Sequence, residues 1–138
     1  MTYEAPFILA LTVNRRRLAS ANRKRLTGEE VLGLAHEAMV AGRKLLAPTK
    51  VPFVEIRLVN NKAFAGGYWC DPNGVEVAQI RYSAGYYTVG TVLHEVAHHL
   101  ERCQNGARYD ERERTIWHDE AFVEWLDWLV AWYYGRKK

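Results

Sequence analysis

The feature that most constrains this chain is a pair of histidines four residues apart, with a glutamate directly after the first. On an α-helix, residues i and i+4 lie one turn apart on the same face, so His94 and His98 can reach a single metal ion while Glu95 flanks it. Helical steps of about 100° also gather the nearby apolar residues into one stripe on a different side. That stripe consists of Leu93, Val96, Ala97, Leu100 and Cys103. The segment is therefore predicted to be a helix with one side in the core and another for chemistry, the alternative being a solvated helix that happens to carry histidines.

A histidine pair with this spacing is typical of hydrolytic zinc sites. Such a site uses three protein ligands and a water molecule whose pKa falls toward ~7, and an acid beside the first ligand can accept the water proton. The pattern thus predicts a zinc hydrolase in which His94 and His98 bind Zn²⁺ and Glu95 is the catalytic base. A third ligand has to come from elsewhere in the chain.

Four residues are candidates for the third ligand: Glu101, His118, Asp119 and Glu120. Glu101 lies two helical turns, about 10 Å, beyond His94, which is too far for the same ion. His118 opens the next predicted helix after a loop long enough to return the chain to the site, so it is the preferred ligand. Glu120 remains the alternative carboxylate ligand, and Asp119 and Glu120 also suit the positive end of that helix.

Other polar residues near the motif receive weaker assignments. His99 points away from the histidine pair and is expected to meet solvent. Asp127 could orient a ligand imidazole, although a surface role is favoured. Four tyrosines could stabilise an oxyanion, and the sequence does not choose among them: Tyr82, Tyr86, Tyr87 and Tyr109.

The length of 138 residues fits a single domain spanning 1–138. No apolar run is long enough for a membrane span, and the apolar stretch Pro6–Val13 has the reverse of a secretory charge order, so it is interpreted as a strand. Cys70 and Cys103 lie far apart and show no zinc-ribbon or disulfide-scaffold spacing. These observations favour a cytoplasmic protein with no membrane partner.

The positive charge of the chain is concentrated near its beginning. Six cationic residues with no acid among them occupy a predicted loop, and the rest of the chain has a net charge near −3 (13 basic against 16 acidic residues). They are Arg15, Arg16, Arg17, Arg23, Lys24 and Arg25. Clustered cations can bind phosphates, so DNA is a candidate partner. The alternative is a solvated loop, because no aromatic residues for base stacking are interleaved here.

The remaining elements predict an α+β domain. Thr27–Glu30 has the form of a capping box and opens an amphipathic helix that runs to Pro48. Strands are predicted over Val51–Val59 and Val75–Tyr82, with turn residues between them that indicate a hairpin. An aromatic-rich helix follows from His118 to Tyr134. Its apolar surface could serve an oligomer contact, but packing in the core is preferred.

The motif residues carry a resemblance to a known family. His94-Glu95-x-x-His98, followed by His118-x-x-Ala-Phe122, resembles the SprT-like zinc metallopeptidases, whose third histidine usually stands in a His-Gly-Pro-x-Phe setting. Here Asp119-Glu120 replaces Gly-Pro. The resemblance covers about residues 27–134 and implies a minimal zincin-like domain.

Such a domain would pack a small mixed β-sheet against the N-terminal amphipathic helix, the helix of the motif and the C-terminal helix. The resemblance also implies an edge strand that borders the cleft, and proteolysis of DNA-associated proteins.

The sequence therefore predicts a zinc metallopeptidase that acts on protein or peptide substrates. Zinc held by His94, His98 and His118 would polarise the water and the scissile carbonyl, and Glu95 would transfer the proton. An extended peptide is expected to add to the exposed edge of the strand Val75–Tyr82. Two alternatives remain: a nucleic-acid-binding protein with structural zinc, and a regulatory protein that keeps the fold without turnover.

Overall fold

The structure, a computed structural model, describes residues 8, 11–46, 53–60, 66–70, 77–106, 111–112 and 118–136. Its elements are α1 (Arg15–Ala21), α2 (Gly28–Arg43), β1 (Phe53–Val59), β2 (Gly66–Cys70), β3 (Val77–Ser83), α3 (Val89–Asn105) and α4 (Glu120–Gly135). The predicted α+β class with a small mixed sheet is confirmed. Among the helices in these ranges, none combines the length and the apolarity that a membrane crossing requires.

The sheet has the strand order β1-β3-β2. Strand β3 pairs in parallel with β1 and antiparallel with β2, and Ile80 lies opposite both Ile56 and Tyr68. The two predicted strands are therefore β1 and β3, which pair in parallel, and β2 lies in the stretch between them that was interpreted as a turn-rich, hairpin-like excursion. The expectation that the strand Val75–Tyr82 offers a free edge is wrong, because β3 lies between two strands. One edge of the three-stranded sheet belongs to β2 instead.

The described residues before Asn22 are largely helical, where a strand and a loop were expected. Within Pro6–Val13 the described residues Ile8 and Leu11 are helical, and the N–H of Thr12 donates to the carbonyl of Ile8 over 3.1 Å. Helix α1 then contains the three consecutive arginines. Leu18 and Ala21, three residues apart, are buried, and this apolar side stabilises α1 against the rest of the protein.

Helix α2 follows the predicted pattern closely. The Thr27 hydroxyl accepts from the N–H of Glu30 at 3.2 Å, while the Glu30 carboxylate accepts from the N–H of Thr27 at 2.9 Å. This reciprocal pair satisfies two backbone donors at the helix start. The apolar stripe of α2 is buried as expected: Val31, Leu34, Ala35, Ala38 and Met39. His36 is exposed, also as expected.

Helix α3 occupies the centre of the molecule. It packs against β2 and β3 on one side and against α1, α2 and α4 on the others. The buried core is continuous around it and includes Val92, Leu93, Val96 and Leu100, all with no exposed surface. The other helices therefore pack principally on α3, and the sheet covers its remaining side.

Helix α4 buries most of its apolar residues in this core. Phe122, Val123, Trp125, Leu126, Leu129, Val130 and Tyr133 are buried, and two further tryptophans pack partly against the core. Core packing thus accounts for the aromatic-rich segment. The helix begins at Glu120 rather than at His118, because Asp119 is its N-cap and accepts from the N–H of Phe122 at 3.3 Å.

The crossing of α2 and α3 depends on the absence of a side chain at Gly42. A methyl group built there would overlap Leu100, with the Leu100 Cγ only 3.1 Å away. Leu100 is fully buried and has little room to move. We expect Gly42→Ala to lower the free energy of unfolding by about 1–3 kcal/mol, measured by urea denaturation.

Gly33, in the same helix, is the matched control. Nothing lies within 4 Å of a methyl group built at this position. Gly33→Ala should therefore raise stability by up to ~1 kcal/mol through the higher helix propensity of alanine. Equal effects of the two substitutions would contradict the close packing of α2 on α3.

Candidate metal centre

Helix α3 supplies the first two imidazoles of the centre. It begins after Thr88, whose hydroxyl accepts from the N–H of Thr91 at 3.1 Å. His94 and His98 follow one turn apart, and their ring centroids are separated by 4.9 Å. His98 is buried and His94 half-buried. The predicted i, i+4 geometry is therefore present.

His118 completes a cluster with these two residues. Its Nε2 lies 3.1 Å from Nε2 of His98 and 3.2 Å from Nε2 of His94. The position of His118 follows from the start of α4, because His118 directly precedes Asp119, the N-cap of that helix. Phe122, one turn into α4, packs against all three imidazoles with ring centroids 4.3 to 5.0 Å away. The structure thus brings together the three histidines that the sequence selected.

Two of the three nitrogen separations suit a single tetrahedral metal ion. With metal–nitrogen bonds of about 2.0–2.1 Å, two imidazole ligands of tetrahedral zinc are separated by roughly 3.3 Å. The two distances to His118 are close to this value, and the potential ligand atoms all lie within 4.8 Å of one another. Hydrogen bonds between the imidazoles explain the cluster less well. The Nε2 of His118 lies near two other Nε2 atoms, whereas a neutral imidazole Nε2 offers either one proton or one lone pair.

The electrostatic environment keeps His94 and His98 neutral. Burial, and after it the nearby His118, lowers the pKa of His94 to about 3. Burial also lowers the pKa of His98 well below its usual value, with His94 and His118 adding to the effect. Neutral imidazole is the form that binds a metal. The two imidazoles of α3 therefore carry no positive charge at neutral pH that would oppose a cation.

Glu95 lies beside the histidines on α3, at the contact with the sheet. Only 2% of its surface is exposed. A methyl group built at Gly66 of β2 would lie 3.2 Å from a carboxylate oxygen of Glu95 and 3.2 Å from the carbonyl of Arg81. The glycine therefore makes room for the carboxylate against β2. Burial raises the pKa of Tyr82, and the negative charge of Glu95 adds to the effect.

The alternative ligands are not part of the cluster. The carboxylate of Glu101 accepts from the Asn105 side chain at 3.0 Å and is buried away from solvent. Asp119 caps α4, and Glu120 is exposed in its first turn. Within the described residues, the group able to hold a metal consists of His94, His98 and His118.

His99 is buried, with 1% of its surface exposed, so the prediction that it meets solvent is wrong. Its Nδ1 lies 3.1 Å from the hydroxyl of Tyr68 in β2, and its Nε2 lies 3.5 Å from Sγ of Cys103. Burial and the nearby Arg43 lower the pKa of His99 to about 4. Strand β2 covers α3 on this side. The predicted apolar stripe marked only one buried side of the helix and therefore did not reveal this contact.

Tyr68 is the residue beside the site that sequence reasoning missed. Besides contacting His99, its ring stacks on that of His98 at a centroid distance of 6.4 Å and an angle of 12°. The one signal in the sequence was the position of Tyr68 in a short segment between turn residues. That segment is strand β2, and Tyr68 lies on its buried side. Tyr68 thus connects β2 to His98 and His99 of α3.

The other predicted roles have different outcomes. The Asp127 carboxylate accepts from the backbone N–H groups of Val13 and Asn14, each at 3.1 Å, and holds the start of α1 instead of orienting an imidazole. The Tyr82 hydroxyl donates to the carbonyl of Val92 at 3.0 Å, inside the core. Tyr86 is exposed and Tyr87 half-buried. Tyr109 lies outside the described residues.

Comparisons with models of protein families, with curated proteins and with solved structures find no match to this chain.

The cluster makes a direct prediction about metal content. Protein with His118→Ala, purified with zinc and dialysed, should lose most of its bound metal because two imidazoles remain. Protein with Glu120→Ala should retain about one ion per chain, since this exposed carboxylate is outside the cluster. Both are measured by inductively coupled plasma mass spectrometry. The reverse result would exclude His118 as the third ligand.

Proposed function

We propose that this protein is a zinc-dependent hydrolase that cleaves peptide bonds. The observation that carries the proposal is the convergence of three imidazole nitrogens, from His94, His98 and His118, beside a buried glutamate on α3. The donor set favours zinc, which binds imidazole in tetrahedral sites.

The number of ligands favours a catalytic site over a structural one. Structural zinc is closed by four protein ligands, whereas catalytic zinc keeps one position open. In the part of the chain that the structure describes, the ligand group contains three residues. A structural site also has no use for a carboxylate next to its first ligand, and Glu95 stands there.

The residues of the site have separate chemical roles. When bound, zinc would lower the pKa of a water molecule toward ~7 and polarise a carbonyl group. Glu95 accepts the water proton and passes it to the leaving amine. Phe122, packed against the three imidazoles, excludes water from one side of the site and holds the rings in place.

The sheet edge supports a peptide as the substrate. Strand β2 is hydrogen-bonded to β3 on one side and contacts α3, the helix of the metal ligands. An extended peptide could add along the other edge of β2, where main-chain hydrogen bonds give affinity with little sequence preference. This edge replaces β3 as the proposed binding strand.

The arrangement also agrees with what the resemblance to SprT-like metallopeptidases implies. The helix carrying the ligands packs on a short sheet, and an edge strand lies next to it. His118 and Phe122 stand in positions that match the third-histidine setting of that family. We propose a minimal zincin-like arrangement on this basis.

The first test is cleavage of an unfolded, fluorescently labelled protein by the zinc-loaded enzyme. Glu95→Gln keeps the shape of the side chain but removes the proton acceptor, so the rate should fall by roughly 10²- to 10⁴-fold. Metal content should not change, because Glu95 is outside the ligand set.

The matched control is Glu124→Gln, which neutralises an exposed carboxylate on α4. It should cleave at the parental rate. Equal rates for the parent and the Glu95→Gln variant would refute the peptidase proposal and leave only a metal-binding protein.

A second test concerns the space that Gly66 leaves for the carboxylate. Gly66→Ala places a methyl group against Glu95 and the Arg81 carbonyl, so the carboxylate has to shift. We expect kcat to fall roughly 10- to 100-fold with metal content unchanged, since misplacing a reacting group by about 1 Å costs this much. Gly33→Ala is the control. Unchanged kcat would show that the position of Glu95 does not depend on Gly66.

A further inference from the structure

The strongest feature outside the metal centre is the surface formed by α1 and the turn that follows it. We call it the basic surface, and it consists of Arg15, Arg16, Arg17, Arg23, Lys24 and Arg25. Five of these side chains are exposed, and Lys24 is half-buried. Such a concentration of like charge is self-repulsive and attracts an anionic partner.

Within the described residues, no acidic side chain forms an ion pair with an arginine of the basic surface. Arg17 lies over the ring of Tyr134, 5.6 Å from its centroid, and Arg25 donates to the carbonyl of Gly85 at 3.0 Å. These partners are neutral. None of the five arginines is paired with a carboxylate in the part of the chain that the structure describes, in contrast to Arg57 and Arg136, which have acidic partners.

The backbone that carries the basic surface is held by several contacts. Leu18 and Ala21 anchor α1 in the core, and the Asp127 carboxylate accepts from the two backbone N–H groups that precede the helix. The Tyr134 hydroxyl donates to the carbonyl of Arg17 at 3.2 Å. A backbone that is already ordered loses less conformational entropy on binding than a mobile loop does.

Tyrosines of α4 add a constraint on the ligand. Lys24 lies 5.5 Å from the ring centroid of Tyr133 and 5.8 Å from that of Tyr134, and Arg17 also lies over Tyr134. These rings are already occupied by cations, so they are not free platforms for stacked bases. Among the described residues, the surface therefore offers cationic groups for phosphates and no free aromatic ring for single-stranded bases.

We propose that the basic surface binds the phosphate backbone of duplex DNA without reading its sequence. A guanidinium pairs with phosphate through two parallel hydrogen bonds, and a duplex presents phosphates at high density. A membrane fits less well, because the apolar residues of α1 face the core. The exposed side chains of Leu11 and Val13 lie just before α1 and make vesicles a necessary arm of the test. Binding at this surface does not depend on the metal centre or on the proposed hydrolysis.

The experiment measures fluorescence anisotropy of a labelled duplex of about 20 base pairs between about 50 and 200 mM salt. Contacts with roughly four to five phosphates predict that log K falls with log salt with a slope of about −4. The variant Arg15→Gln/Arg16→Gln/Arg23→Gln changes three exposed side chains that have no partner to lose among the described residues. It should bind at least about tenfold more weakly at the lowest salt, with a slope less steep by about 2 to 3.

Two controls isolate the basic surface. The variant Arg43→Gln/Lys44→Gln/Arg57→Gln removes the same number of exposed positive charges elsewhere and should keep the parental slope. Glu95→Gln and metal-stripped protein should bind the duplex like the parent. Loss of hydrolysis with intact DNA binding would thus separate this proposal from the proposed function.

Several outcomes would overturn the proposal. They are no binding by the parent at low salt, equal slopes for the two triple variants, and tighter binding of a single strand than of the duplex. Binding to phosphatidylserine-containing vesicles in preference to the duplex would assign the surface to a membrane instead.

Discussion

The burial of polar side chains along α3 is the constraint on which the rest of the structure depends. Glu95, His98, His99 and Glu101 are all nearly inaccessible to solvent. Each buried polar group costs about 1–3 kcal/mol if it is left without a partner. Neighbouring elements supply partners: β2 brings Tyr68 to His99, and the segment that leads into α4 brings His118 to the other imidazoles. The proposed metal ion would complete this set.

Local features of the sequence predicted a large part of this arrangement. The capping box at Thr27 and the apolar spacing after it located α2, and the i, i+4 spacing located the two histidines on α3. His118 was found because ligand chemistry requires a third donor and the chain returns after a loop. These inferences rest on helical periodicity and on coordination number, which are both readable within short segments.

The parts of the fold and of the site that the sequence did not predict depend on contacts between distant segments of the chain. The position of β3 between β1 and β2 is a choice among strand pairings that no local pattern specifies. The burial of His99 follows from β2 covering a second side of α3, and β2 itself was hidden in a run of turn residues. Helix α1 was missed because its three arginines dominate the local pattern, while Leu18 and Ala21 provide only a short apolar side.

We propose that three imidazoles hold a zinc ion whose fourth coordination position is open to water. X-ray absorption at the zinc edge of the zinc-loaded protein tests this ligand set, because the spectrum counts ligands by type and distance. We expect three imidazole nitrogens and one further nitrogen or oxygen neighbour, all at about 2.0 to 2.1 Å. A sulfur neighbour at about 2.3 Å, or fewer than three imidazoles, would exclude the proposed ligand set.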